Sequence, residues 1–554
     1  MSKKMKLFNI FLIICIACYL FLPVFCLSTQ VTSNGVTYLG FQNGNVSSFI
    51  GIRYGQETSG NNRFKITVPF LYDQSSVVNA TSFGHVCPQP TTATTLLSAM
   101  SEDCLNLNIW TPMLNESVQV MVWIHGGSFT SGSGSIYDGS YWCSKAAEMG
   151  IPVVLVTINY RLGSLGFLSD KTSGVNGNFG LYDQLEAIRW VKVNIRNFGG
   201  NPDKITVAGE SAGGMSIACL LSTSIFSSEN LFQQSIIQSG ILPSSVLQNT
   251  LDGAQAFTNI LKSRVSCFTL ACLRQLPFAD FITAQRNMTF VPVVDGQLLS
   301  ETIYQNLDKV NNPISNISMM VGTTRNETTA FTCDRGSNLN IYQLYVLFRT
   351  LFNMEPLSSI FELLAQVSIL YGGQGTYSSI LQFFNVFMTD ALFYCPARYY
   401  SSVVSEMQKN VSSKSRVERN VYQYVFSYVQ PKLGPCYGAP HASELPYLFP
   451  SILDEIKNNP DLSGMFSDSQ NLEFSDKDRK ISDSMIYYWT NFIKYGKPDG
   501  ENPKEEFPNW ISFNRCEEKL LYIDIPLKME QAMKETICNF WDDQFGRKKI
   551  EKHC

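Results

Sequence analysis

The sequence predicts an α/β fold: a large, mostly parallel sheet covered by helices in a single domain. Short apolar runs rich in β-branched residues, at 118–124 and 152–158, are typical of strands that are buried on both faces. Between residues 181 and 197 the apolar residues recur at spacings of four and three, which predicts a helix with one buried face. Strands that alternate with helices at this rhythm indicate parallel strands joined by helical connections.

Later segments extend the same pattern. Residues 205–208 predict another buried strand, residues 213–221 a helix and residues 232–238 the next strand. Beyond residue 250 helical segments dominate, and the best strand signals lie at 317–321 and 422–428. The chain shows no internal repeat, no low-complexity linker and no long run of charge, so residues 27–554 are expected to form one domain.

The composition excludes several classes of protein. Of the 554 residues, 45% are hydrophobic and 16% are charged, which is too apolar for a disordered chain. The 42 basic and 46 acidic side chains leave a net charge of −4, which offers no field to attract the phosphate backbone of a nucleic acid. The 15 cysteines are too sparse in a chain of this length for a small disulfide-rich scaffold.

The N-terminus has the pattern of a secretory signal peptide over residues 1–26. Three lysines precede an apolar run from residue 7 to about residue 25, and cleavage is expected after Cys26, with Ser28 as a second candidate. An uncleaved signal anchor is the alternative, because the run is close to the length that spans a bilayer. No other segment is long and apolar enough to cross a membrane, and the charged C-terminus lacks a lipid-anchor signal. We therefore expect a protein that is secreted or held in a secretory-pathway vesicle.

Sequons of the type N-x-S/T support secretion. Most of them lie in polar, turn-like stretches, where an attached glycan can reach solvent. We expect glycans on these asparagines: Asn45, Asn79, Asn115, Asn287, Asn316 and Asn410.

A nucleophilic serine is predicted at Ser211. Residues 209–213 form the only G-x-S-x-G match in the chain, directly after a predicted strand and directly before a predicted helix. Such a turn forces the serine into a strained backbone conformation, and glycines on both sides let the chain close around it. A serine that only caps the helix is the structural alternative.

Backbone donors for an oxyanion are predicted upstream of this serine. His125, Gly126 and Gly127 follow the predicted strand 118–124, and a glycine pair at a strand end lets N–H groups point into a pocket. With the N–H of Ala212, those of Gly126 and Gly127 would supply the donors for a tetrahedral oxyanion. A plain tight turn is the alternative.

The base follows by elimination. The chain has four histidines, and the chain order of nucleophile, acid and base leaves only His441 and His553 after Ser211. His553 is next to last in a basic tail, whereas His441 lies in a loop rich in glycine and proline. His125 belongs to the oxyanion loop, and His85 precedes the strands. His441 is therefore the predicted base.

The acid is left open by the residues alone. It should follow a strand between Ser211 and His441, orient the imidazole and stabilise its cation. Glu327 and Asp295 both follow predicted strand ends, whereas Asp390 is a poorer candidate because it lies on a predicted helix.

Motifs spread over nearly the whole chain carry a resemblance to a known family. They are EDCLNLNIW (102–110), WIHGGSF (123–129), NYRLGSLGFL (159–168), GNFGLYDQLEAIRWVKVNI (177–195), FGGNPDKITVAGESAGG (198–214), QSG (238–240), FVPVVDG (290–296), GTTRNE (322–327) and GAPHASELPYLF (438–449). On these stretches the chain resembles the type-B carboxylesterase/cholinesterase family of α/β-hydrolases, from about residue 37 to residue 545. Together the motifs are highly specific.

The resemblance implies a role for each matching residue. The family's acid coincides with Glu327, and its nucleophile and base coincide with Ser211 and His441. Its oxyanion groups coincide with Gly126, Gly127 and Ala212, and family pairing implies the disulfides Cys87–Cys104, Cys267–Cys272 and Cys395–Cys538.

Six further cysteines remain after removal of the signal peptide: Cys143, Cys219, Cys333, Cys436, Cys516 and Cys554. Cys333 and Cys436 lie near the acid and the base in sequence, so a fourth bridge between them is one hypothesis, although the sequence leaves the state of all six cysteines open. Cys554, the last residue, is a candidate for a disulfide between two copies of the chain.

Departures from the family bear on the substrate. Cholinesterases carry a tryptophan in the loop before EDC, where its face binds a quaternary ammonium, but residues 88–103 hold no aromatic residue. Ala330 stands where an aromatic residue is common, so a choline ester is not the expected substrate. Asn326 replaces an acidic residue and creates a sequon that we expect to be unmodified, because a glycan there would crowd the site. The residues expected to line the substrate pocket are Met288, Phe290 and Phe331.

The predicted function is that of a secreted serine carboxylesterase, which hydrolyses a small-molecule carboxylic ester through an acyl-enzyme intermediate. It needs no metal or organic cofactor, binds no nucleic acid and retains no membrane span after signal cleavage; a homodimer linked through Cys554 is a further expectation. The alternatives are a non-catalytic cholinesterase-like adhesion or storage protein, and a lipase or thioesterase that uses the same triad.

Overall fold

A 13-stranded sheet organises the chain. The computed structural model describes residues 28–91, 97–309, 312–333, 357–373, 376–412, 419–458, 472–501, 503–532 and 534–548. The strands are β1 Ser28–Ser33, β2 Val36–Asn43, β3 Val46–Arg53, β4 Val77–Asn79, β5 Asn106–Thr111, β6 Val118–Ile124, β7 Val153–Ile158, β8 Gly200–Glu210, β9 Gln234–Gln238, β10 Asn249–Thr250, β11 Val293–Val294, β12 Ser318–Thr324, β13 Val421–Phe426, β14 Lys519–Ile523 and β15 Lys528–Gln531.

The middle of this sheet is parallel. The spatial order is β1-β2-β3-β5-β7-β6-β8-β9-β12-β13-β14-β15, with β4 beside β2, while β10 and β11 form a separate two-stranded sheet. The run from β7 to β14 in this order is parallel throughout. β1, β2, β3 and β5 at one edge and β15 at the other pair antiparallel with their neighbours in this order, whereas β4 pairs parallel with β2. The predicted fold class, a mostly parallel sheet, is confirmed.

The central strands are buried on both faces of the sheet. In β6, Val120, Val122 and Ile124 belong to one hydrophobic layer, whereas Met121 and Trp123 belong to the layer on the opposite face. This explains why the strand is a continuous apolar run rather than an alternating one.

Helices cover both faces. They are α1 Ser140–Glu148, α2 Gly163–Phe167, α3 Phe179–Asn194, α4 Ala212–Leu221, α5 Ser224–Glu229, α6 Ser244–Leu247, α7 Leu251–Arg264, α8 Leu270–Gln275, α9 Phe278–Ala284, α10 Ile303–Leu307, α11 Thr329–Thr332, α12 Leu357–Leu370, α13 Ile380–Thr389, α14 Cys395–Ser412, α15 Leu445–Leu448, α16 Ile452–Asn458, α17 Asp476–Tyr495 and α18 Glu535–Gln544. A π-helical turn, Asp390–Tyr394, joins α13 to α14.

The predicted elements agree with these bounds, with small shifts. The strand predicted at 118–124 is β6, and the helix predicted between 181 and 197 is α3, which begins two residues earlier at Phe179. β8 extends well beyond the predicted 205–208 at both ends. Among the described residues, none of the helices is both apolar and long enough to cross a bilayer. The predicted signal peptide, residues 1–26, lies outside the described residues.

Four disulfide bonds link described cysteines: Cys87–Cys104, Cys267–Cys272, Cys333–Cys436 and Cys395–Cys538. Cys143 and Cys219 are buried free thiols. Cys516 is also disulfide-bonded. Cys554 lies outside the described residues.

Candidate active site

Ser211 lies in the turn between β8 and α4, at the carboxyl end of the parallel strands. Its backbone angles, φ 54° and ψ −122°, are outside the regions that L residues ordinarily adopt. Its N–H donates to the carbonyl of Gln238 at 2.9 Å, and its carbonyl accepts from the N–H of Met215 at 2.8 Å. The strained conformation is thus held by hydrogen bonds on both sides.

The glycines that flank Ser211 are required by the close approach of β6. A Cβ atom at Gly213 would lie 2.0 Å from the carbonyl oxygen of Ile124, and one at Gly209 would lie 2.7 Å from the same oxygen. Both distances are shorter than any real Cβ contact, so only glycine fits at either position. The G-x-S-x-G pattern therefore records a packing requirement.

The glycine loop after β6 packs directly against Ser211. A Cβ atom at Gly126 would lie 3.1 Å from the Cβ of Ser211 and 2.8 Å from Oε2 of Glu210. Gly127 has φ 103°, and a Cβ there would lie 2.1 Å from the carbonyl oxygen of Ser131. Among the described residues, the N–H of Gly127 donates to no backbone carbonyl, whereas the N–H of Gly126 interacts with the Tyr137 hydroxyl.

His125 supports this loop. Its Nδ1 donates to the carbonyl of Gly126 at 2.8 Å, and its ring stacks on that of Tyr160 with centroids 4.4 Å apart. The Tyr160 hydroxyl donates to the carbonyl of His125 at 2.9 Å. Burial lowers the pKa of His125 to about 4, so the ring is neutral. This arrangement is that of a structural histidine.

Glu327 and His441 form a hydrogen-bonded pair. Nδ1 of His441 lies 2.6 Å from Oε2 of Glu327, and a donor at Nδ1 leaves Nε2 free to accept a proton. Glu327 is completely buried just after β12. Its Oε1 accepts from the N–H of Thr324 at 2.7 Å and from the hydroxyl of Ser239 at 2.6 Å. These donors fix the carboxylate and therefore the orientation of the imidazole.

The other two carboxylates that fitted the sequence pattern are engaged elsewhere. Oδ1 of Asp295 accepts from the N–H groups of Gln297 and Leu299, at 3.0 and 2.9 Å, and so stabilises its own turn. Asp390, in the π-helical turn, accepts from Nζ of Lys534 at 2.6 Å and from the Tyr371 hydroxyl at 3.1 Å. The structure brings only Glu327 of these three to Nδ1 of His441.

The other ring nitrogen of His441 faces the nucleophile side of the site. Nε2 lies 3.1 Å from Oε1 of Glu210, the residue before Ser211. The two atoms are close but form no hydrogen bond, and Oε1 of Glu210 has no hydrogen-bond partner among the described residues. No hydrogen bond joins Ser211 to His441 in the described part of the chain; such bonds commonly tighten only when substrate binds.

Buried glutamates surround the imidazole. Burial raises the pKa of Glu210 to about 8 and that of Glu444 to about 7, and the nearby Glu327 carboxylate adds to both shifts. Burial alone would lower the pKa of His441, but the carboxylates of Glu210 and Glu327 outweigh it and raise that pKa to about 9. These groups titrate together. Proton uptake by Glu210 leaves Glu327 as the close anionic partner of His441.

Gln238 connects the nucleophile turn to this cluster. Its carbonyl accepts the N–H of Ser211, and its Nε2 donates to Oε1 of Glu444 at 3.1 Å. Its Oε1 accepts from Nε1 of Trp489 at 3.0 Å. The residue therefore ties α17 and the loop of His441 to the end of β9.

Two phenylalanines flank His441. The ring of Phe331 lies 5.3 Å from that of His441 and is 49% exposed, so it borders solvent. The ring of Phe393 lies 5.4 Å away, in the π-helical turn. Met288 and Phe290, the other predicted pocket residues, are buried, and their place in a substrate pocket stays a prediction.

Sequence reasoning missed Glu210, Glu444, Gln238 and Phe393. The sequence could have indicated the first two, because Glu210 directly precedes Ser211 in the G-x-S-x-G motif and Glu444 follows His441 by three residues. Phe393 had none, because a π-helical turn carries no clear sequence pattern. In the described residues, no group of His, Cys, Asp and Glu side chains is arranged to hold a metal ion.

Comparison with known proteins identifies the family. Residues 30–541 match the family model described as the carboxylesterase family. A para-nitrobenzyl esterase of Bacillus subtilis (strain 168) is 32% identical over 503 residues, which cover 88% of this chain and 92% of that protein. A cocaine esterase of Homo sapiens is 29% identical over 562 residues, which cover 95% and 92% of the two chains.

A solved structure agrees. The crystal structure of a carboxylesterase of Geobacillus stearothermophilus superposes with a TM-score of 0.76 and 28% identity, covering 93% of this chain and 100% of that one. The fold is therefore that of the α/β-hydrolases. The chain belongs to the carboxylesterase family, and its relatives support a carboxylic-ester hydrolase. The resemblance and the enzyme class predicted from the sequence are confirmed.

Proposed function

We propose that this protein is a secreted serine carboxylesterase with Ser211, Glu327 and His441 as its catalytic triad. The observation that carries the proposal is the 2.6 Å hydrogen bond from Nδ1 of His441 to the buried Glu327, at the sheet edge where Ser211 is held in a strained turn. This pairing gives His441 the tautomer that a general base needs.

In the proposed mechanism, the Ser211 hydroxyl attacks the ester carbonyl while Nε2 of His441 takes its proton. The N–H groups of Gly126, Gly127 and Ala212 bind the oxyanion of the tetrahedral intermediate, and Glu327 stabilises the imidazolium. His441 then passes the proton to the leaving alcohol, which departs and leaves an acyl-enzyme. Water activated by His441 releases the acid by the same steps in reverse order.

The proposed substrate is an uncharged ester of a small molecule. Phe331 and Phe393 place apolar surface on both sides of His441, and the loop at 88–103 offers no aromatic face for a quaternary ammonium. The relatives named for a para-nitrobenzyl ester and for cocaine support esters of aromatic groups as the first compounds to test.

Secretion is part of the proposal. The disulfides suit an oxidising compartment, and all six asparagines expected to carry glycans have exposed side chains. Asn326 is half-buried, and its Oδ1 accepts from the N–H of Ala439 at 3.1 Å, which supports an unmodified sequon there. Glycosidase treatment and peptide mapping of secreted material test these sites. The homodimer through Cys554 stays a prediction, tested by non-reducing electrophoresis.

The test of function is hydrolysis of short p-nitrophenyl esters, together with fluorophosphonate labelling mapped to a peptide. We expect turnover and a single label on Ser211, both lost in Ser211→Ala. A folded protein that shows neither would favour the non-catalytic adhesion or storage alternative. A series of acyl chain lengths and thioesters then separates a carboxylesterase from a lipase or thioesterase.

A further inference from the structure

The segments that carry Glu327 and His441 are joined by a dense set of hydrogen bonds. The N–H of Asn326 donates to the carbonyl of Ala439 at 3.0 Å, and the N–H of Ala439 donates back to Oδ1 of Asn326 at 3.1 Å. The N–H of His441 donates to the carbonyl of Glu327 at 3.3 Å. The two backbones therefore run side by side at the acid–base pair.

Two further residues tighten this contact. The hydroxyl of Thr329 lies 2.6 Å from the carbonyl oxygens of both Asn326 and Tyr437, one on each segment. Gly438 has φ 64°, and a Cβ atom there would lie 2.3 Å from Oδ1 of Asn326. The Asn326 side chain therefore packs directly against the backbone at Gly438, so a small displacement of either segment should change the position of His441.

The Cys333–Cys436 disulfide adds a covalent bond between these two segments. Cys333 follows Glu327 by 333 − 327 = 6 residues, and Cys436 precedes His441 by 441 − 436 = 5 residues. Their Cα atoms lie 5.9 Å apart, although the cysteines are 103 residues apart in sequence. None of the other three described disulfides has a cysteine within ten residues of either member of the pair.

This bond is also the most accessible of the four described disulfides. Cys436 is exposed and Cys333 is half-buried. Each of the other bonds has at least one cysteine with no more than 1% of its surface exposed: Cys87, Cys104, Cys267, Cys395 and Cys538. Because thiol–disulfide exchange requires a thiolate to reach a sulfur atom, a reductant should open Cys333–Cys436 first among these four bonds.

We propose that Cys333 and Cys436 are positioning residues, whose disulfide holds His441 against Glu327 and whose reduction by a dithiol lowers esterase turnover. The inference rests on the proposed function. In the reaction, the dithiol thiolate attacks the sulfur of one cysteine, and the other cysteine leaves as a thiolate. The second thiol of the dithiol, as a thiolate, then attacks the dithiol sulfur of this mixed disulfide and displaces the first cysteine. The protein gains two thiols, and the dithiol is oxidised to a cyclic disulfide with no other reactant.

The expected effect is on turnover rather than on substrate binding. A misplacement of a catalytic group by about 1 Å can cost on the order of a hundred-fold in rate, so opening the bond should lower kcat by roughly ten- to a hundred-fold and leave KM nearly unchanged. The charged groups that face His441 are Glu210, Glu327 and Glu444. Loosening the contact with Glu327 weakens one cause of the raised pKa of His441, so the acid limb of kcat/KM should move to lower pH.

The experiment compares Cys333→Ser/Cys436→Ser with the matched variant Cys267→Ser/Cys272→Ser, both in the full-length protein. We expect the first variant to show the lower kcat, the shifted pH profile and no further response to dithiothreitol. The second should keep the kcat of the wild type and lose it reversibly in dithiothreitol. Alkylation and peptide mapping of the folded wild type identify the bond that opens first, so the test does not depend on folding of the variants.

Several outcomes would overturn the inference. One is a first variant with wild-type kcat and pH profile and only a lower Tm, which would make the bond merely structural. Another is a wild type in which dithiothreitol opens Cys333–Cys436 without loss of turnover. Absence of esterase turnover in the oxidised wild type would instead contradict the proposed function, so the two failures are distinguishable.

Discussion

The proposed nucleophile and the proposed acid–base pair are held in place by different means. Ser211 lies between β8 and α4, where the backbones of β6 and of the turn approach so closely that Gly209 and Gly213 leave no room for a Cβ atom. His441 lies on a loop after β13 that side-chain hydrogen bonds and a disulfide link to the segment of Glu327. Backbone packing fixes the first region, and cross-links between two loops fix the second.

The difference shows where each region can be changed. A packed turn tolerates almost no substitution, since any added atom collides with a backbone that cannot move. A cross-linked loop tolerates substitution better but depends on each cross-link, because removing one leaves the loop free to shift. Substitutions in the turn should therefore lower stability, whereas substitutions in the loop should displace His441 and lower activity.

The largest effect is expected from Ser211→Ala, which removes the proposed nucleophile without adding an atom to the packed turn. We expect kcat to fall on the order of a million-fold while the Tm stays near that of the wild type. Ser222→Ala, at the far end of α4, is the matched control and should keep its activity, since its hydroxyl only donates to the carbonyl of Ala218. Substantial turnover in Ser211→Ala would place the nucleophile elsewhere.

The next effect is expected from Glu327→Gln, which keeps the shape of the side chain and removes its charge. An amide cannot stabilise the imidazolium, so kcat should fall by about ten-thousand-fold. Asp295→Asn is the control, because Asp295 fitted the sequence pattern equally well but stabilises only its own turn. Steady-state kinetics of both variants test this prediction, and a larger loss of kcat in Asp295→Asn than in Glu327→Gln would identify Asp295 as the acid.

The two regions also differ in how well the sequence predicts them. β6 agrees with its predicted bounds because its apolar run is long, uninterrupted and buried on both faces. The turn at Ser211 is predictable for a related reason. Only glycine fits the close contacts on both sides of the serine, so the packing is recorded in the sequence as the G-x-S-x-G motif. His441 is predictable by elimination among four histidines.

The acid–base region is less predictable because its order comes from distant contacts. Glu327 and Asp295 have the same local pattern, and only the contact with a loop more than a hundred residues away separates them. The raised pKa of Glu210 arises mainly from burial, which local sequence does not report. Phe393 reaches His441 from a π-helical turn that periodicity would assign to an ordinary helix.

A smaller effect is expected from Gly126→Ala, which adds a methyl group to the glycine loop that packs against Ser211. Its Cβ would meet Oε2 of Glu210 at 2.8 Å and the carbonyl oxygen of Glu210 at 2.9 Å, both much less severe than the 2.0 Å contact that a Cβ at Gly213 would make with a backbone carbonyl. The variant should fold, with a displaced oxyanion donor and kcat lower by about a hundred- to a thousand-fold. Gly213→Ala, with its contact at 2.0 Å, should instead lose stability. Equal Tm losses in both variants, measured by thermal unfolding, would contradict this distinction.

The smallest effect is expected from Glu210→Gln, which removes one carboxylate facing His441 but keeps the side-chain shape. The Glu210 carboxylate helps to raise the pKa of His441, so its loss should lower that pKa and move the acid limb of kcat/KM to lower pH. Because burial raises the pKa of Glu210 to about 8, the group is largely protonated at neutral pH, and the shift should be a fraction of a pH unit. A limb that moves to higher pH would show that the Glu210 carboxylate does not act on His441 through its charge.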